Sequence, residues 1–201
     1  MVWRGARALR ELILKDETAK ATCYDAHIDE WLNRLITQYP ESSVAQSHCM
    51  RLVGALAFGN DRYRRKAGEK GIMASVAAAL ENHSEDENVL LHVTTAITNL
   101  THNSMENRMR YHLVLQRSCV GKICTAKITT LSLLFTFTLR FVEIGGVELL
   151  ISMMVRYKES AKLQRQACWA VLSLCGTDEI SRTVAQQGGD SAILNSMLYH
   201  R

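Results

Sequence analysis

The sequence lacks the features that identify membrane and secreted proteins. Its longest apolar-leaning run, residues 128–139, is about 12 residues long, whereas a membrane-spanning helix needs about 20. No apolar segment typical of a secretory signal peptide follows the start. We therefore expect neither a membrane span nor secretion.

The sequence also has no catalytic or metal-binding motif. None of its seven histidines has HExxH or other metal-ligand spacing, and there is no nucleophile motif, Walker loop or GxGxxG. The glycine pairs at 145–146 and 188–189 are better explained as turns between helices than as phosphate-binding loops. We therefore expect no enzyme activity, cofactor, metal or small-molecule substrate.

The six cysteines include no CxxC pair. Cys49 lies on a predicted apolar stripe, so reduced thiols in a core are the expected state. Such thiols are typical of a reducing compartment, and we expect a cytoplasmic protein, with the nucleus as the alternative. Arg4, Arg7 and Arg10 near the start could instead belong to an organelle-targeting peptide.

What the sequence does contain is a repeated apolar pattern, within 201 residues of which 47% are hydrophobic. The spacing i, i+4, i+7, i+8, i+11 recurs, which predicts one apolar stripe on each of several helices. The stripes are Ala45, Cys49, Leu52, Val53 and Leu56; Val89, Val93, Ala96, Ile97 and Leu100; and Leu163, Ala167, Ala170, Val171 and Leu174. A further copy aligns at the start through Met1, Gly5, Ala8, Leu9 and Leu12.

Two independent markers give the period of this repeat, which lies in the forties as in helical solenoids. The last members of the stripes are the marker leucines Leu12, Leu56, Leu100 and Leu174. The first two steps between them are equal, and the third is longer by roughly 30 residues. A glycine-like position follows each marker leucine, at His27, Gly71, Gly145 and Gly188. The interval is nearly constant except before Gly145, where it is longer by the same excess. Both markers therefore locate one insertion in the same copy.

The period also defines the domain organisation. Units that repeat without a break in composition predict a single domain over residues 1–201. The units are expected to end near residues 14, 58, 102 and 175, and the last unit is truncated.

The repeat resembles the armadillo family. Its unit of a short helix, a Gly turn, a second helix and a long third helix ending in Ala-Leu-x-Asn-Leu is matched by Gly71–Leu80 followed by Val89–Leu100 (AITNL). Gly145–Leu174, with WAVLSL, matches it too. The resemblance implies an all-α, right-handed helical solenoid, here a fragment of a larger array, with third helices near 1–14, 44–57, 87–101 and 161–175.

Third helices line the concave surface of armadillo proteins, so the resemblance implies that partners bind there. The residues expected on that surface form three rows: Arg4, His48, His92 and Gln166; Arg7, Arg51, Thr95 and Trp169; and Glu11, Ala55, Asn99 and Ser173. Trp169 is the strongest candidate, because an indole covers a large area at little entropic cost. Half-buried packing is the alternative role for Trp169.

The expected partner is a protein, as an extended peptide or a helix. The nuclear-import adaptors of the family read basic peptides with Trp and Asn four residues apart on successive third helices. Here Trp169 is paired with Ser173, and Asn99 with Thr95, so no unit carries both. Arg7 and Arg51 would also repel a basic peptide. We therefore expect an acidic or mixed-charge partner.

A nucleic-acid-binding solenoid is the alternative function. Basic residues recur eight positions after each marker leucine, and the DRYRRKAGEK segment adds two more; the set is Lys20, Arg64, Arg65, Lys66, Arg108 and Arg182. Such a column could bind phosphate or RNA, or it could be a solvated or salt-bridged face. Asp61 and Glu69 dilute its charge and no aromatic ladder accompanies it, so we expect no nucleic-acid partner.

The insertion at residues 111–140 differs from the rest of the chain. It contains four basic residues and no acidic one, so it accounts for the whole formal charge of +4. One interpretation is a functional loop, although it would interrupt a short helix. The other is a translated intron, because Arg110-Tyr111 and Leu139-Arg140 can be encoded by splice-site sequences and residues 131–139 by a pyrimidine-rich tract. Joining Arg110 to Phe141 gives NSMENRMRFVEIGG, an uninterrupted first helix. We favour the intron.

Deleting residues 111–140 should give a more soluble and more stable chain. The repeat closes without them, and residues 131–139 are β-prone and uncharged, which favours aggregation. The measurement is a comparison of thermal melting and solubility between the two forms. Equal or better behaviour of the full-length chain would contradict the intron interpretation.

Overall fold

The computed structural model describes residues 2–14, 16–69, 71–102, 141–176 and 178–200. These residues contain eleven complete α-helices, a helical segment at 141–143, and no β-strand. The helices are α1 (Val2–Ile13), α2 (Glu17–Asp25), α3 (Ile28–Gln38), α4 (Ser43–Ala57), α5 (Asp61–Glu69), α6 (Ile72–Asn82), α7 (Glu87–Thr101), α8 (Gly146–Arg156), α9 (Ala161–Leu174), α10 (Asp178–Gln186) and α11 (Gly189–Tyr199). Of these helices, none is long and apolar enough to cross a membrane.

The four longest helices occupy the ranges predicted for third helices. α1, α4, α7 and α9 begin and end within about one residue of those ranges, which is the usual uncertainty of a helix boundary. They pack in succession, α1 on α4, α4 on α7 and α7 on α9. The second helices form a parallel series, α3 on α6, α6 on α8 and α8 on α11.

A side chain caps the start of each long helix from α4 onward. Ser42, Asp86 and Ser160 each accept a hydrogen bond from a backbone N–H two or three positions further on. These caps satisfy N–H groups that have no partner within the helix. Ser42 and Asp86 are separated by the same step as Leu56 and Leu100, and Asp86 and Ser160 by the same step as Leu100 and Leu174. The start signals therefore follow the period of the apolar stripes.

The glycine-like marker is a left-handed turn that begins every second helix. His27, Gly71, Gly145 and Gly188 have φ of 54°, 78°, 76° and 89°, and each directly precedes a helix. The turns predicted at Gly71, Gly145 and Gly188 are therefore confirmed, and His27 forms the same turn. Left-handed backbone costs a residue with a side chain about 1–2 kcal/mol, and His27 is the one non-glycine with this conformation among the described residues.

The apolar stripes of α4, α7 and α9 form the centre of the core. Every predicted member of these stripes has at most 1% of its surface exposed. Full burial of a Val, Leu or Ile side chain contributes about 1.5–3 kcal/mol each. The core therefore runs along the series of long helices, and the prediction of the three stripes is confirmed.

The predicted stripe of α1 is wrong by one residue. Leu12 is 60% exposed, and Gly5 and Ala8 are exposed too, whereas Ala6 and Ile13 are each 1% exposed. The buried position is thus Ile13, one place closer to Leu56 than the period requires, and a one-residue shift turns the buried face by about 100°. The alignments that end on Leu12 and on Ile13 both put Leu9 on the packed face, so the apolar pattern alone did not distinguish them. The packing of α1 against α4 selected Ile13.

Buried glutamines join long helices to second helices. The Nε2 of Gln46 donates to the carbonyl oxygens of Ile36 and Tyr39, both at 2.9 Å. Gln164 does the same for α8, donating to Met154 at 2.7 Å and to Tyr157 at 2.9 Å. These carbonyls lie at a helix C-terminus, where no intrahelical N–H remains for them. The glutamines thus fix the angle between the two helices of a unit.

The insertion at 111–140 lies outside the described residues, as does Arg108. Phe141, directly after the insertion, is fully buried. A Cβ added to Gly146 would lie 2.5 Å from the Phe141 ring, so glycine is required for this close approach. The chain that follows the insertion therefore packs in the core from its first residue.

The left-handed turns give a test of the repeat. Gly71→Ala and Gly145→Ala should each lower the free energy of unfolding by about 1–2 kcal/mol, because a side chain is strained at positive φ. No atom lies within 4 Å of the added Cβ at either site, so a steric clash would not explain the loss. His27→Gly should raise stability by about 0.5–1 kcal/mol, since relief of that strain exceeds the entropic cost of glycine.

The matched control is Gly5→Ala within α1. Gly5 also has no atom within 4 Å of an added Cβ, but its φ is helical, so alanine should stabilise the chain by about 1 kcal/mol. Denaturant unfolding measures all four variants. If Gly5→Ala and Gly145→Ala changed the free energy of unfolding in the same direction, the assignment of the left-handed turns would be contradicted.

Candidate functional site

Part of the predicted binding surface converges between α1, α4 and α7. Arg7 and Arg51 act electrostatically on His48, and Arg51 and His48 act on His92. His48 and Arg51 are three residues apart on α4 and share a face of that helix, and α7 packs beside it. We call Arg7, Arg10, His48, Arg51 and His92 the basic cluster.

A pocket of about 310 Å³ opens at this cluster. Its walls include Ser47, His48 and Arg51 from α4, Asn88 and His92 from α7, and the cap residue Asp86. The Nδ2 of Asn88 donates to the Oγ of Ser47 at 3.2 Å, which joins the two helices across the pocket. The pocket is therefore built by the packing of α4 on α7.

Burial and positive charge keep both histidines of the cluster neutral at pH 7. Burial lowers the pKa of His92 to about 4, and Arg51, Arg10 and His48 contribute to this shift. Burial, followed by Arg51, Arg7 and Arg10, lowers the pKa of His48. A neutral imidazole can donate one hydrogen bond and accept another.

Arg51 is the central cation of the cluster. The residue is half-buried, and the pKa of its guanidinium is lowered by burial and by Arg10, while Glu11 opposes this shift. Glu11 pairs with Arg10 at 2.5 Å. Among the described residues Arg51 forms no ion pair of its own. Its charge is therefore available to an anion from outside.

Trp169 lies on the next helix of the series, α9. Its side chain is 54% exposed and is not among the residues that pack against the core. The exposed part of the indole is available to a partner, while the rest is shielded by the chain, so partner contact and half-buried packing both stay predictions for Trp169. Gln166, one turn earlier, is half-buried and donates to the Oγ1 of Thr98 on α7 at 3.3 Å.

Other predicted surface residues are held in internal contacts. Ser173 is buried, and its Oγ lies 2.7 Å from the Oγ1 of Thr101. Asn99 is half-buried and donates to the carbonyl oxygen of Gly54 at 2.9 Å. Ser173 is thus not available to a partner, and Asn99 ties α7 to α4. The prediction of an open surface is wrong for Ser173, because its short polar side chain reaches the adjacent helix, whereas Glu11 of the same row is exposed.

Three remaining members of the rows are placed differently. Thr95 is half-buried, and its Oγ1 donates to the carbonyl of Leu91 at 2.7 Å. Ala55 is 7% exposed, so it belongs to the core. Arg4 is exposed on α1.

The alternative basic column is wrong at two of its residues. Lys20 and Arg64 are each 5% exposed. Lys20 donates to the carbonyl of Phe58 at 3.3 Å, and Arg64 to the carbonyl of Asn99 at 3.4 Å. Each cation thus lies at the C-terminal end of a long helix, where the helix dipole favours positive charge. These side chains join the first helix of a unit to the end of its long helix and are not open to phosphate.

The rest of that column does not form a patch. Lys66 is half-buried and lies over the Tyr24 ring at 4.6 Å, as Arg62 does at 4.1 Å. Arg65 is half-buried and donates to the carbonyl of Asp61 at 3.4 Å. Arg182 is exposed on α10.

Arg10 is the site residue that the sequence analysis missed. Its place in the cluster follows from the one-residue shift of α1, which was aligned on Leu12 instead of Ile13. The sequence did contain a signal that a helix can shift by one residue against the period, since Gly188 follows Leu174 one residue sooner than Gly71 follows Leu56. The intervals of this repeat are therefore not all equal. Within the described residues no group of His, Cys, Asp or Glu could hold a metal ion.

A second cavity, of about 400 Å³, lies between α8, α9 and α11. Met154, Leu198 and Tyr199 are among its walls, with Lys158 at its rim. Its lining is mainly apolar, in contrast to the basic cluster. None of the predicted site residues lies there.

Comparison of the chain with protein-family models, with curated proteins and with solved structures gave no match. The functional argument therefore depends on the contacts and charges of this chain's own residues.

The suppressed protonation of His92 predicts a pH-dependent stability. Below about pH 6.5 the unfolded chain protonates this histidine while the folded chain does not, so acid favours unfolding. Stability is full above that pH and falls as the pH is lowered toward about 4. The melting temperature should therefore decrease as the pH is lowered from about 7 to about 5. The decrease should be smaller in His92→Gln.

The control for this measurement is His102→Gln, which removes an exposed histidine from the end of the same helix. It should retain the wild-type pH dependence. Superimposable pH profiles for His92→Gln and the wild type would contradict the assignment.

Proposed function

We propose that this chain is a right-handed armadillo-type solenoid and acts as a non-catalytic protein-binding scaffold. Its partner is an extended segment of acidic or mixed charge that lies along α1, α4, α7 and α9. The observation that carries the proposal is the convergence of Arg7, Arg10 and Arg51 beside His48 and His92 on neighbouring long helices.

The solenoid part of the proposal is supported by agreement among three separate signals. Buried stripes, side-chain caps and left-handed turns all recur with nearly the same period. The long helices pack in chain order, as do the second helices. Units that bury their apolar faces against their neighbours are the defining feature of a solenoid.

The sign of the partner's charge is argued from the basic cluster. Three arginines converge there, and only Arg10 has a carboxylate partner among the described residues, Glu11. A basic peptide would be repelled, whereas an acidic one would reduce the mutual repulsion of Arg7, Arg10 and Arg51. Trp169, exposed two long helices beyond α4, offers the apolar contact that aromatic anchors commonly supply.

Nucleic acid is disfavoured as a partner. Phosphate binding draws on several accessible cations, and Lys20 and Arg64 are buried against helix ends. The basic cluster also contains two neutral histidines, which add no charge toward phosphate. We keep the expectation of a cytoplasmic or nuclear location, since Cys23, Cys49 and Cys168, in the part of the chain that the structure describes, are free thiols.

Peptides selected on this protein from a random display library should be acidic, and Trp169→Ala should weaken their binding by about 1–3 kcal/mol. The indole is largely exposed, so the variant should melt at the wild-type temperature. Fluorescence anisotropy with the selected peptides measures the affinity, and thermal unfolding measures the stability.

The matched control is Val155→Ala, which truncates a 64% exposed apolar residue on the second helix α8. It should leave peptide affinity unchanged. Selected peptides that are basic, or that bind Trp169→Ala as tightly as the wild type, would count against the scaffold proposal. A sharp loss of stability in Trp169→Ala would show that the indole is a packing residue.

A further inference from the structure

The pocket between α4 and α7 contains a cation that its surroundings leave unbalanced. Arg51 is half-buried, its nearest charges include Arg10 and Arg7, and the nearby Glu11 pairs with Arg10 at 2.5 Å. A partly desolvated charge without an ion pair of its own is unfavourable, and Glu11 offsets the Arg51 charge only from beside Arg10. An anion that enters from outside would remove this cost.

The one carboxylate on the pocket wall does not fill that role. The Oδ1 of Asp86 accepts the backbone N–H of Asn88 at 3.0 Å and of Val89 at 3.2 Å. It therefore caps α7, and among the described residues it forms no ion pair with Arg51.

The pocket also offers hydrogen-bond donors for a small anion. Ser47 accepts from Asn88 through its Oγ, which leaves the hydroxyl hydrogen of Ser47 free to donate. His48 and His92 line the same pocket, and each neutral imidazole carries one N–H. An arginine fork with neighbouring neutral donors is the arrangement that binds a carboxylate in two-point fashion.

We propose that this pocket binds the carboxylate of an Asp or Glu side chain from the extended acidic segment, with Arg51 as its principal partner. The proposal rests on the scaffold function and names the chemical group that the scaffold recognises. A carboxylate is a group that a single arginine fork binds in two-point fashion, and phosphate, the other such group, is an outcome of the test below.

Binding at this pocket should be coupled to proton uptake. The groups that face the histidines are Arg51, Arg10 and Arg7 from α4 and α1, with Asp86 at the start of α7. A bound carboxylate adds negative charge, which raises the pKa of His48 and of His92. Acidic peptides remain ionised above about pH 5. Affinity should therefore rise as the pH falls from about 7 to about 5.

The test uses fluorescein-labelled hexaglutamate and anisotropy titrations of the full chain. Arg51→Gln should weaken binding about tenfold, which corresponds to about 1.4 kcal/mol. Arg34→Gln is the matched control, because it removes the same charge from an exposed position on α3, outside the series of long helices, and it should change the affinity less than about twofold. Thermal melting of both variants checks that they remain folded.

Titrations at different pH distinguish binding in this pocket from general attraction between opposite charges. Wild-type affinity should increase at the lower pH, and His92→Gln should reduce that increase. An increase that is identical in His92→Gln and the wild type would overturn the pocket, even if Arg51→Gln binds weakly.

The remaining outcomes distinguish the two proposals. Equal losses in Arg51→Gln and Arg34→Gln would overturn the pocket while leaving an acid-binding scaffold in place. Tighter binding of hexalysine than of hexaglutamate would overturn both proposals. A hexapeptide of phosphoserine that binds more than tenfold tighter would overturn the carboxylate in favour of phosphate. If none of these peptides binds, the pocket proposal fails, and the display selection alone decides the scaffold.

Discussion

The structure depends on the burial of one apolar stripe per long helix between the long helices on either side. α4 and α7 each have such neighbours on two sides, and every predicted member of their stripes is almost completely excluded from water. Because a single unit has no second surface on which to bury its stripe, order in one unit requires its neighbours. The caps and the left-handed turns set where helices start, and the buried glutamines set how the two helices of a unit meet.

The polar contacts within each unit follow the same logic at the helix ends. A helix C-terminus leaves carbonyl oxygens without partners, and side chains from other helices supply them. Lys20 on α2 reaches the end of α4, and Arg64 on α5 reaches the end of α7, each within its own unit. Gln46 and Gln164 supply the ends of the second helices. These side chains are repeated for structural reasons, which explains why a periodic basic column did not prove to be a binding surface.

Charged side chains that form no ion pair within the described part of the chain are therefore the best guide to function. In the basic cluster the arginines come from α1 and α4 and the histidines from α4 and α7, so the cluster exists only where three long helices meet. Burial holds the histidines neutral while Arg51 keeps its charge, and the pocket therefore combines one cation with several neutral donors. Such a combination discriminates among anions by size and charge more than a row of lysines would.

The sequence by itself determined the helices, their period, the ends of the long helices and the left-handed turns. These features depend on local rules, since a 3.6-residue apolar spacing, a capping side chain or a glycine acts within a few residues of its own position. Only the tertiary structure decided the register of α1, where Leu12 and Ile13 both satisfied the pattern and contact with α4 selected Ile13. It also decided which polar residues were available, burying Ser173 and Lys20 and bringing Arg10 to His92. Long polar side chains find their partners across helices, and those distances follow from packing, which no local pattern encodes.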